Sequence, residues 1–279
     1  MKVALIQLAT TSNISDDLNR VEEYIQAAQM QQVELVVLPE EFLTLSLSQA
    51  EKIAMAEKLG KGELQSILAG FAKKYHVAIV AGTLPILSLD DGADLSNQYY
   101  SSCLLFDAYG KRVAHYHKIH LFDVKITSAN ESYYESEYVL PGSQVVTYAQ
   151  FEDYPAAHLG LSICYDIRFP EMYRRMAIQG ANIFLVPSAF TIPTGQKHWE
   201  ILLRARAIEN LSFVLACNNV GTRKSGEGTY GHSMIISPWG DVLASLTDTE
   251  DMIVQDIDID ISHKLRREFP VLEHARSLK

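Results

Sequence analysis

The sequence predicts a layered α/β fold with mixed sheets, on two observations. Apolar runs rich in Val and Ile alternate along the chain with stretches of helical period. Two segments, 99–118 and 232–246, each place turn-forming residues between apolar runs, which predicts β-hairpins and therefore antiparallel pairing beside the parallel kind. At 279 residues the chain is near the upper size of a single hydrophobic core, so we expect one domain over 1–279.

The first half of the chain is expected to alternate strand and helix. Ser15, Asp16 and Asp17 supply a cap and dipole-matched charge for the start of a helix, whose apolar residues then recur at helical spacing as far as Ala28. The predicted elements are a strand at 2–9, the helix just described, a strand at 34–39, a helix at 64–75 and a strand at 77–81.

The second half combines the two hairpins with further strands and helices. Segment 123–140 is polar and has no convincing period, so we expect one long irregular loop there, and Pro170 is expected to open a helix. The remaining predictions are strands at 158–163, 183–188 and 213–219, a helix after Pro170, and a helix from about 197 to 210.

Composition excludes several kinds of partner. With 34 acidic and 24 basic residues the formal charge is -10, and no Lys/Arg-rich run is present, so nucleic acid is not an expected partner. The apolar start of the chain is interrupted by Gln7 and lacks a cleavage pattern, and no apolar run approaches the ~20 residues of a membrane-spanning helix. Three widely spaced cysteines fit neither a disulfide framework nor a zinc ribbon. We therefore expect a cytoplasmic protein with no membrane partner.

Cys164 is the strongest candidate for a reactive residue. It stands where a predicted strand ends, a few residues before the helix that Pro170 opens. Such a placement exposes a nucleophile and leaves the following N–H, that of Tyr165, free to bind an oxyanion. The alternative is a buried, unreactive cysteine, a description that fits Cys103 and Cys217 better because both lie among apolar neighbours within predicted strands.

A catalytic thiol needs a base and a cation nearby. Glu40 follows a buried strand, at the edge of the sheet where α/β folds place ligands, although a single glutamate there is commonly a solvated loop acid. Lys118 ends another predicted strand and supplies an ammonium suited to an oxyanion. His158 precedes Cys164 by one strand length, but its direction is undetermined.

The histidines around Lys118 allow a different interpretation. His115, His117 and His120 have the spacing H-x-H-x-x-H, and imidazole is a common metal ligand. No second cluster of recognisable spacing completes a ligand shell, and strand alternation is expected to divide the three rings between two faces. We therefore predict no metal site at these histidines, while a metal-dependent hydrolase remains a rival hypothesis.

Three segments, taken in order, resemble the motifs of the nitrilase superfamily of carbon-nitrogen hydrolases. The family's glutamate follows Leu-Pro, as Glu40 does; its lysine begins Lys-x-His-Leu-Phe-Asp, as Lys118 does; its cysteine precedes Tyr-Asp, as Cys164 does. The resemblance covers essentially the whole chain. It implies an α/β fold built as a four-layer α-β-β-α sandwich with two mixed sheets, and assembly into a homodimer or higher homo-oligomer.

A second family glutamate lies in the loop before a Pro-Gly pair. That position selects Glu135, ahead of Pro141 and Gly142, with Glu131 and Glu137 close enough to be alternatives. Glu41 does not match the family base, because the matching glutamate directly follows the proline.

Other segments resemble a small-amidase branch of the superfamily that acts on α-keto acid amides. They are Pro187-Ser-Ala-Phe190, Leu203-Arg-Ala-Arg-Ala-Ile-Glu209 and Tyr230-Gly-His-Ser-Met234. The branch contains deaminated-glutathione amidase and omega-amidase, and these segments resemble the first more closely. Deaminated glutathione is therefore the expected small-molecule substrate, with the omega-amidase substrates α-ketoglutaramate and α-ketosuccinamate as the alternative.

The resemblance implies a mechanism for these residues. Glu40 takes the Cys164 proton, the thiolate attacks the amide, and Lys118 with the Tyr165 N–H holds the oxyanion. Ammonia leaves, and water activated by Glu40 hydrolyses the thioester while Glu135 positions Lys118, Glu40 or the water. This mechanism implies that no metal and no organic cofactor is required.

Three further residues are expected to contact the substrate. Arg168 is expected to bind the substrate carboxylate, or else to pair with Asp166 or Glu171. Phe190 and Thr194 would line the pocket. A non-catalytic binding module on the same scaffold is the remaining rival hypothesis.

Overall fold

The computed structural model describes residues 1–87, 97–148 and 155–276. The helices are α1 Ile14–Met30, α2 Gln49–Ala54, α3 Glu63–Tyr75, α4 Pro170–Ile178, α5 Ile192–Asn210, α6 Asp260–Glu268 and α7 Val271–His274. The strands of the first half are β1 Lys2–Gln7, β2 Leu35–Val37, β3 Ala78–Ile86, β4 Tyr100–Phe106, β5 Arg112–His117, β6 Asp123–Ile126 and β7 Glu131–Tyr134. Those of the second half are β8 Val146–Tyr148, β9 Leu159–Leu161, β10 Ile183–Leu185, β11 Phe213–Ala216, β12 Val220–Thr222, β13 Gly228–Tyr230, β14 Met234–Ile236, β15 Val242–Ser245 and β16 Asp251–Asp256.

Two six-stranded mixed sheets form the centre of the molecule. The first has the order β16-β1-β2-β3-β4-β5 and the second the order β15-β14-β11-β10-β9-β8. In each sheet three neighbouring strands are parallel, β1-β2-β3 in one and β9-β10-β11 in the other, and the flanking pairs are antiparallel. The carboxyl ends of each parallel set therefore share one edge of their sheet.

Side chains alternate between the two faces of each strand, so the hydrophobic core consists of two clusters, one on each face of the first sheet. Val3 and Leu5 of β1 belong to the cluster that also contains the second sheet and helices α4 and α5. Ala4 and Ile6, which point the other way, belong to the cluster formed with α1 and α3. The order of layers is helices, first sheet, second sheet, helices, so the predicted α-β-β-α sandwich is confirmed.

The prediction of an irregular loop over 123–140 was wrong in part. Strands β6 and β7 form a two-stranded hairpin there, in register from Asp123 opposite Tyr134 to Ile126 opposite Glu131. Its strands join neither large sheet and are partly exposed on both faces. β6 alternates polar and apolar residues for only four positions, and β7 reads Glu-Ser-Tyr-Tyr, so the segment as a whole has no sustained strand period.

Two helix starts also differ from the predictions. The cap of α1 is Asn13, whose side chain accepts from the N–H groups of Ser15 and Asp16, so Ser15 lies inside the helix. Helix α5 begins at Ile192 rather than about 197. Pro193 lies in its first turn, where a missing N–H costs nothing, so the helix can begin before this proline. Among the described residues, no helix is both long and apolar enough to cross a bilayer.

Candidate active site

Cys164 stands on a sharp turn between β9 and α4. It is the first residue of a short 3-10 turn, Cys164–Arg168, and its φ of +45° lies in the left-handed region, which is uncommon for any residue with a Cβ. The Cys164 N–H donates to the Pro187 carbonyl at 2.9 Å, which ties the turn to the end of β10. The residue is buried, with 7% of its surface exposed. The expected strand-end placement of this thiol is what the structure shows.

Glu40 reaches the same place from the end of β2. Gly82 permits this, because a Cβ there would lie 2.1 Å from the Pro39 carbonyl oxygen, so only glycine allows the two backbones to approach. The Glu40 side chain is 4% exposed, and its Oε2 accepts the Ala189 N–H at 2.8 Å. The Asn219 side chain donates to the Glu40 carbonyl. Glu40 is therefore a fixed, buried carboxylate rather than a solvated loop acid.

Lys118 lies between two carboxylates. Its Nζ is 2.8 Å from Glu40 Oε1 and 2.9 Å from Glu135 Oε1. The second oxygen of Glu135 accepts the Phe122 N–H at 2.6 Å, which fixes that carboxylate. An ammonium has three N–H donors, so two bonds leave one for a further acceptor. Of the alternatives to Glu135, Glu131 bonds the Tyr133 hydroxyl and Glu137 is exposed.

Burial and neighbouring charges shift the pKa values of these groups in opposite directions. Burial raises the pKa of the Cys164 thiol well above its usual value, and Glu40 raises it further, while Lys118 and the Ala189 N–H lower it. Burial alone would lower the pKa of Lys118, but Glu135 and Glu40 raise it well above its usual value. The pKa of Glu135 is raised by burial against the effect of Lys118. The resting site thus holds a protonated thiol beside a permanent ammonium.

Asp166 joins the cysteine turn to the lysine segment. Its fully buried carboxylate accepts from the Tyr116 hydroxyl at 2.7 Å, from the His120 N–H at 3.1 Å and from the Ile163 N–H at 2.9 Å. His120 Nδ1 lies 2.7 Å from the same carboxylate. The His-Leu-Phe and Cys-Tyr-Asp motifs are therefore in direct contact, which sequence alone did not indicate.

Glu40, Lys118, Glu135 and Cys164 line one pocket, a concave site of the kind that binds small molecules. Tyr165, Phe190 and Thr194 line it, as expected. Arg168 stands beside it: its guanidinium carbon is 5.7 Å from the Tyr165 ring centre and 5.4 Å from that of Phe190. Within the described ranges Arg168 forms no ion pair with Asp166, Glu171 or any other acid. Its Nη1 and Nη2 each donate to His198 Nδ1 at 3.3 Å.

The other cysteines and the histidine triplet lie apart from this cluster. Cys103 and Cys217 are fully buried, and burial raises the pKa of both thiols. The rings of His115 and His117 lie 5.1 Å apart, and those two residues border a different hollow, while His120 bonds Asp166. In the part of the chain that is described, no three His, Cys, Asp or Glu side chains gather in a metal-binding arrangement.

A second buried charge cluster went unrecognised in the sequence. Glu41 lies between Lys52 and Arg223, with Arg223 Nη1 at 2.7 Å from its Oε2. Burial alone would raise the pKa of Glu41, but Lys52 and Arg223 lower it to about 2. Both Glu41 and Arg223 line the pocket. The preceding residue, Glu40, faces Lys118 instead, so two consecutive glutamates support two separate clusters.

We expect Glu41→Gln to lower the free energy of unfolding by about 3 kcal/mol, because it leaves the buried Lys52 and the partly buried Arg223 without their carboxylate. A depressed acid pKa stabilises the fold at pH values above the unfolded-state value, here 4.5, and that contribution is lost as pH falls through about 2. The stability gap between wild type and variant should therefore be constant from pH 7 to pH 5 and narrow below. Urea unfolding at each pH measures it. Glu22→Gln, which breaks the exposed pair with Lys74, is the control and should change stability far less.

A buried thiol, carboxylate and ammonium in one pocket give the site the chemical equipment of a thiol-dependent hydrolase. Comparisons with known proteins agree. The model of the carbon-nitrogen hydrolase family matches residues 2–267. A deaminated glutathione amidase of Synechocystis is 37% identical over 271 residues, 97% of this chain and 96% of that protein. The human omega-amidase NIT2 is 33% identical over 276 residues, covering 99% and 95% of the two chains.

A solved structure also resembles this chain. The crystal structure of the Caenorhabditis elegans NitFhit protein has a TM-score of 0.87 at 33% identity; the match covers 99% of this chain but 65% of that longer one. The chain therefore belongs to the carbon-nitrogen hydrolase family and is a hydrolase of carbon–nitrogen bonds other than peptide bonds.

Proposed function

We propose that this protein hydrolyses the amide of a small α-keto acid amide, with deaminated glutathione as its principal substrate, through a thioester on Cys164. The observation that carries the proposal is the convergence of Glu40, Lys118 and Glu135 at that thiol. The names of the relatives support the choice of substrate, since deaminated glutathione amidases of three genera are matched over more than nine tenths of their length.

Acylation begins with a proton transfer. Because the Cys164 thiol is protonated at rest, Glu40 takes its proton as the sulfur attacks the amide carbonyl carbon. Lys118, with its one remaining N–H, and the Tyr165 N–H stabilise the oxyanion. When the tetrahedral adduct collapses, the carbon–nitrogen bond breaks and the leaving amine takes the proton from Glu40. A primary amide releases ammonia, whereas deaminated glutathione releases a dipeptide amine.

Deacylation repeats the steps with water. Glu40 takes a proton from water as the oxygen attacks the thioester carbon, and the carbon–sulfur bond then breaks. The Cys164 thiolate recovers its proton, the keto acid is released, and the site returns to its starting state. Glu135 acts by holding Lys118, since its second oxygen is already committed to the Phe122 N–H.

A comparison of two substrates tests the proposed function. Purified protein is expected to hydrolyse both deaminated glutathione and α-ketoglutaramate, with the larger kcat/KM for the first. If α-ketoglutaramate has the larger value, the omega-amidase alternative is correct; if neither is hydrolysed, the proposed function is wrong. Activity that disappears on chelation and returns with added metal would favour the metal-dependent rival.

Arg168 is proposed to bind the carboxylate of the keto acid. Arg168→Lys should raise KM for an anionic amide about tenfold, because a point charge replaces a bidentate fork, while the melting temperature changes little. Steady-state kinetics and thermal unfolding on one preparation measure both. Arg175→Lys, on the exposed face of α4, is the control. An unchanged KM with a lower melting temperature would remove Arg168 from the binding site.

We also infer that the chain works as a single domain in the cytoplasm and pairs with a second copy of itself. An apolar patch on the outer face supports pairing: Ile201 and Ile208 of α5 are 70% and 48% exposed, and Trp239 and Phe269 are 58% and 54% exposed. Their two aromatic rings lie 6.3 Å apart. A patch of this kind is typical of an interface. A monomer in sedimentation equilibrium at micromolar concentration would contradict the inference.

A further inference from the structure

The active-site pocket borders a second hollow. The pocket that holds Cys164 and a neighbouring outer groove have four lining residues in common: Gln49, Tyr133, Tyr138 and Arg223. Gln49 and Arg223 line the same pocket as Cys164, so a ligand whose amide lies at Cys164 can reach them without leaving that pocket. A primary amide has no group to place there, because nothing follows its nitrogen.

Arg223 is held rigidly at this boundary. It follows β12, which pairs with β13, and its backbone N–H closes the turn by donating to the Glu227 carbonyl at 2.8 Å. Its Nη2 donates to the Ala189 carbonyl at 2.9 Å, while the Ala189 N–H bonds Glu40. Ala189 therefore links the Arg223 guanidinium to Glu40, the proposed base. A cation so fixed can bind an anion without first being ordered.

Charge is distributed unevenly along the pocket. Lys118 is shared by Glu40 and Glu135, which leaves one net negative charge beside Cys164. Glu41 is shared by Lys52 and Arg223, which leaves one net positive charge at the boundary. A carboxylate is attracted to the positive end of this distribution and repelled from the negative end. A ligand that places a neutral amide at Cys164 and a carboxylate near Arg223 matches this distribution.

Two polar atoms at the boundary are also unsatisfied. Gln49 Oε1 and Arg223 Nε are both buried, and neither has a hydrogen-bond partner among the described residues. One is an acceptor and the other a donor. An amide N–H followed by a carboxylate supplies the complementary pair, which is the chemistry of a short peptide at its C-terminal end.

We propose that Gln49 and Arg223 form a subsite for the leaving half of the substrate, specific for an amine that ends in a carboxylate one or two residues from the scissile nitrogen. This inference rests on the proposed function and assigns recognition of the substrate's amine tail to two residues outside the catalytic cluster. Arg168, beside Tyr165 and Phe190, remains the proposed partner of the acyl half. When the amine departs, Arg223 holds only its tail, so release requires no further proton.

Three substrates with the same α-ketoglutaryl group test the subsite. The first ends in Cys-Gly with a free carboxylate, the second in Cys-Gly carboxamide, and the third is the primary amide. The quantity measured is the ratio of kcat/KM for the free-acid tail to that for the carboxamide tail. Arg223→Gln should lower this ratio about tenfold, because a charged hydrogen bond is lost only with the first substrate. Arg223→Lys should restore part of it, and Lys111→Gln, an exposed hairpin residue outside both spaces, should not change it.

Each result has a definite meaning. If Arg223→Gln lowers kcat/KM equally for both tails, the residue is structural, acting through Glu41 or Ala189, and the subsite is refuted. An unchanged ratio refutes it as well. A wild-type protein that cleaves the substrates without preferring the free-acid tail overturns the subsite but leaves the proposed function intact. Failure to cleave any of the three overturns both.

Discussion

Replacing Cys164 with alanine is expected to reduce kcat by about 10⁴-fold or more, because no other group in the pocket can form the thioester. The fold should be nearly unaffected, since alanine occupies the same left-handed backbone conformation with only the sulfur removed. Steady-state rates and thermal unfolding of the same purified variant measure the two effects. Mass spectrometry of the wild type mixed with substrate should detect an acyl adduct that the variant lacks.

Cys103→Ala and Cys217→Ala are the matched controls. Each removes a sulfur from a fully buried position outside the pocket, so each should lower stability while the rate per folded molecule is retained. Activity above a trace in purified Cys164→Ala, or an adduct on either of the other two cysteines, would refute the proposed nucleophile.

Exchanging Glu40 for glutamine is expected to slow both half-reactions by about 10³-fold, since the amide cannot accept a proton yet keeps the shape of the side chain. Acylation slows because the Cys164 thiol, whose pKa is raised by burial, loses its base. Deacylation slows because water loses the same base. Rapid mixing followed by mass spectrometry separates the steps: the adduct should form slowly and, once formed, decay slowly.

Glu171→Gln, which removes an exposed carboxylate at the start of α4, is the control for the loss of charge and should keep the wild-type rate. A Glu40→Gln variant that forms adduct at the normal rate and fails only to release it would show that a different group deprotonates Cys164. The proposed base would then serve only the second half-reaction.

The parts of the site that lie at strand ends could be predicted from the sequence. Glu40 and Cys164 each follow a buried apolar strand, and the rule that carboxyl ends of parallel strands carry ligands places both at a sheet edge. Glu135 could be selected only by resemblance. It belongs to a segment whose hairpin pairs with nothing else, so neither its structure nor its contact with Lys118 leaves a periodic signal.

The second charge cluster could not have been found in this way. Glu41, Lys52 and Arg223 are separated by up to 182 positions, and each alone has the appearance of an ordinary surface charge. Their meeting depends on where the β12–β13 hairpin lies, which is set by packing between distant elements. The start of α5 was missed for a related reason: Gly195 resembles a helix breaker, but it is required where the helix passes the Tyr230 ring, which a Cβ would approach to 2.2 Å.

The φ of +45° at Cys164 sets the stability of the fold against catalysis at a single residue. A left-handed conformation costs a side-chain-bearing residue roughly 1 kcal/mol that glycine does not lose. Relief of that strain alone favours glycine at position 164, which would have no sulfur for catalysis, but glycine there also empties a buried position and loses more chain entropy on folding. Robust variants of this enzyme must instead draw their added stability from positions away from that turn, and the turn itself sets a cost that the rest of the fold has to offset.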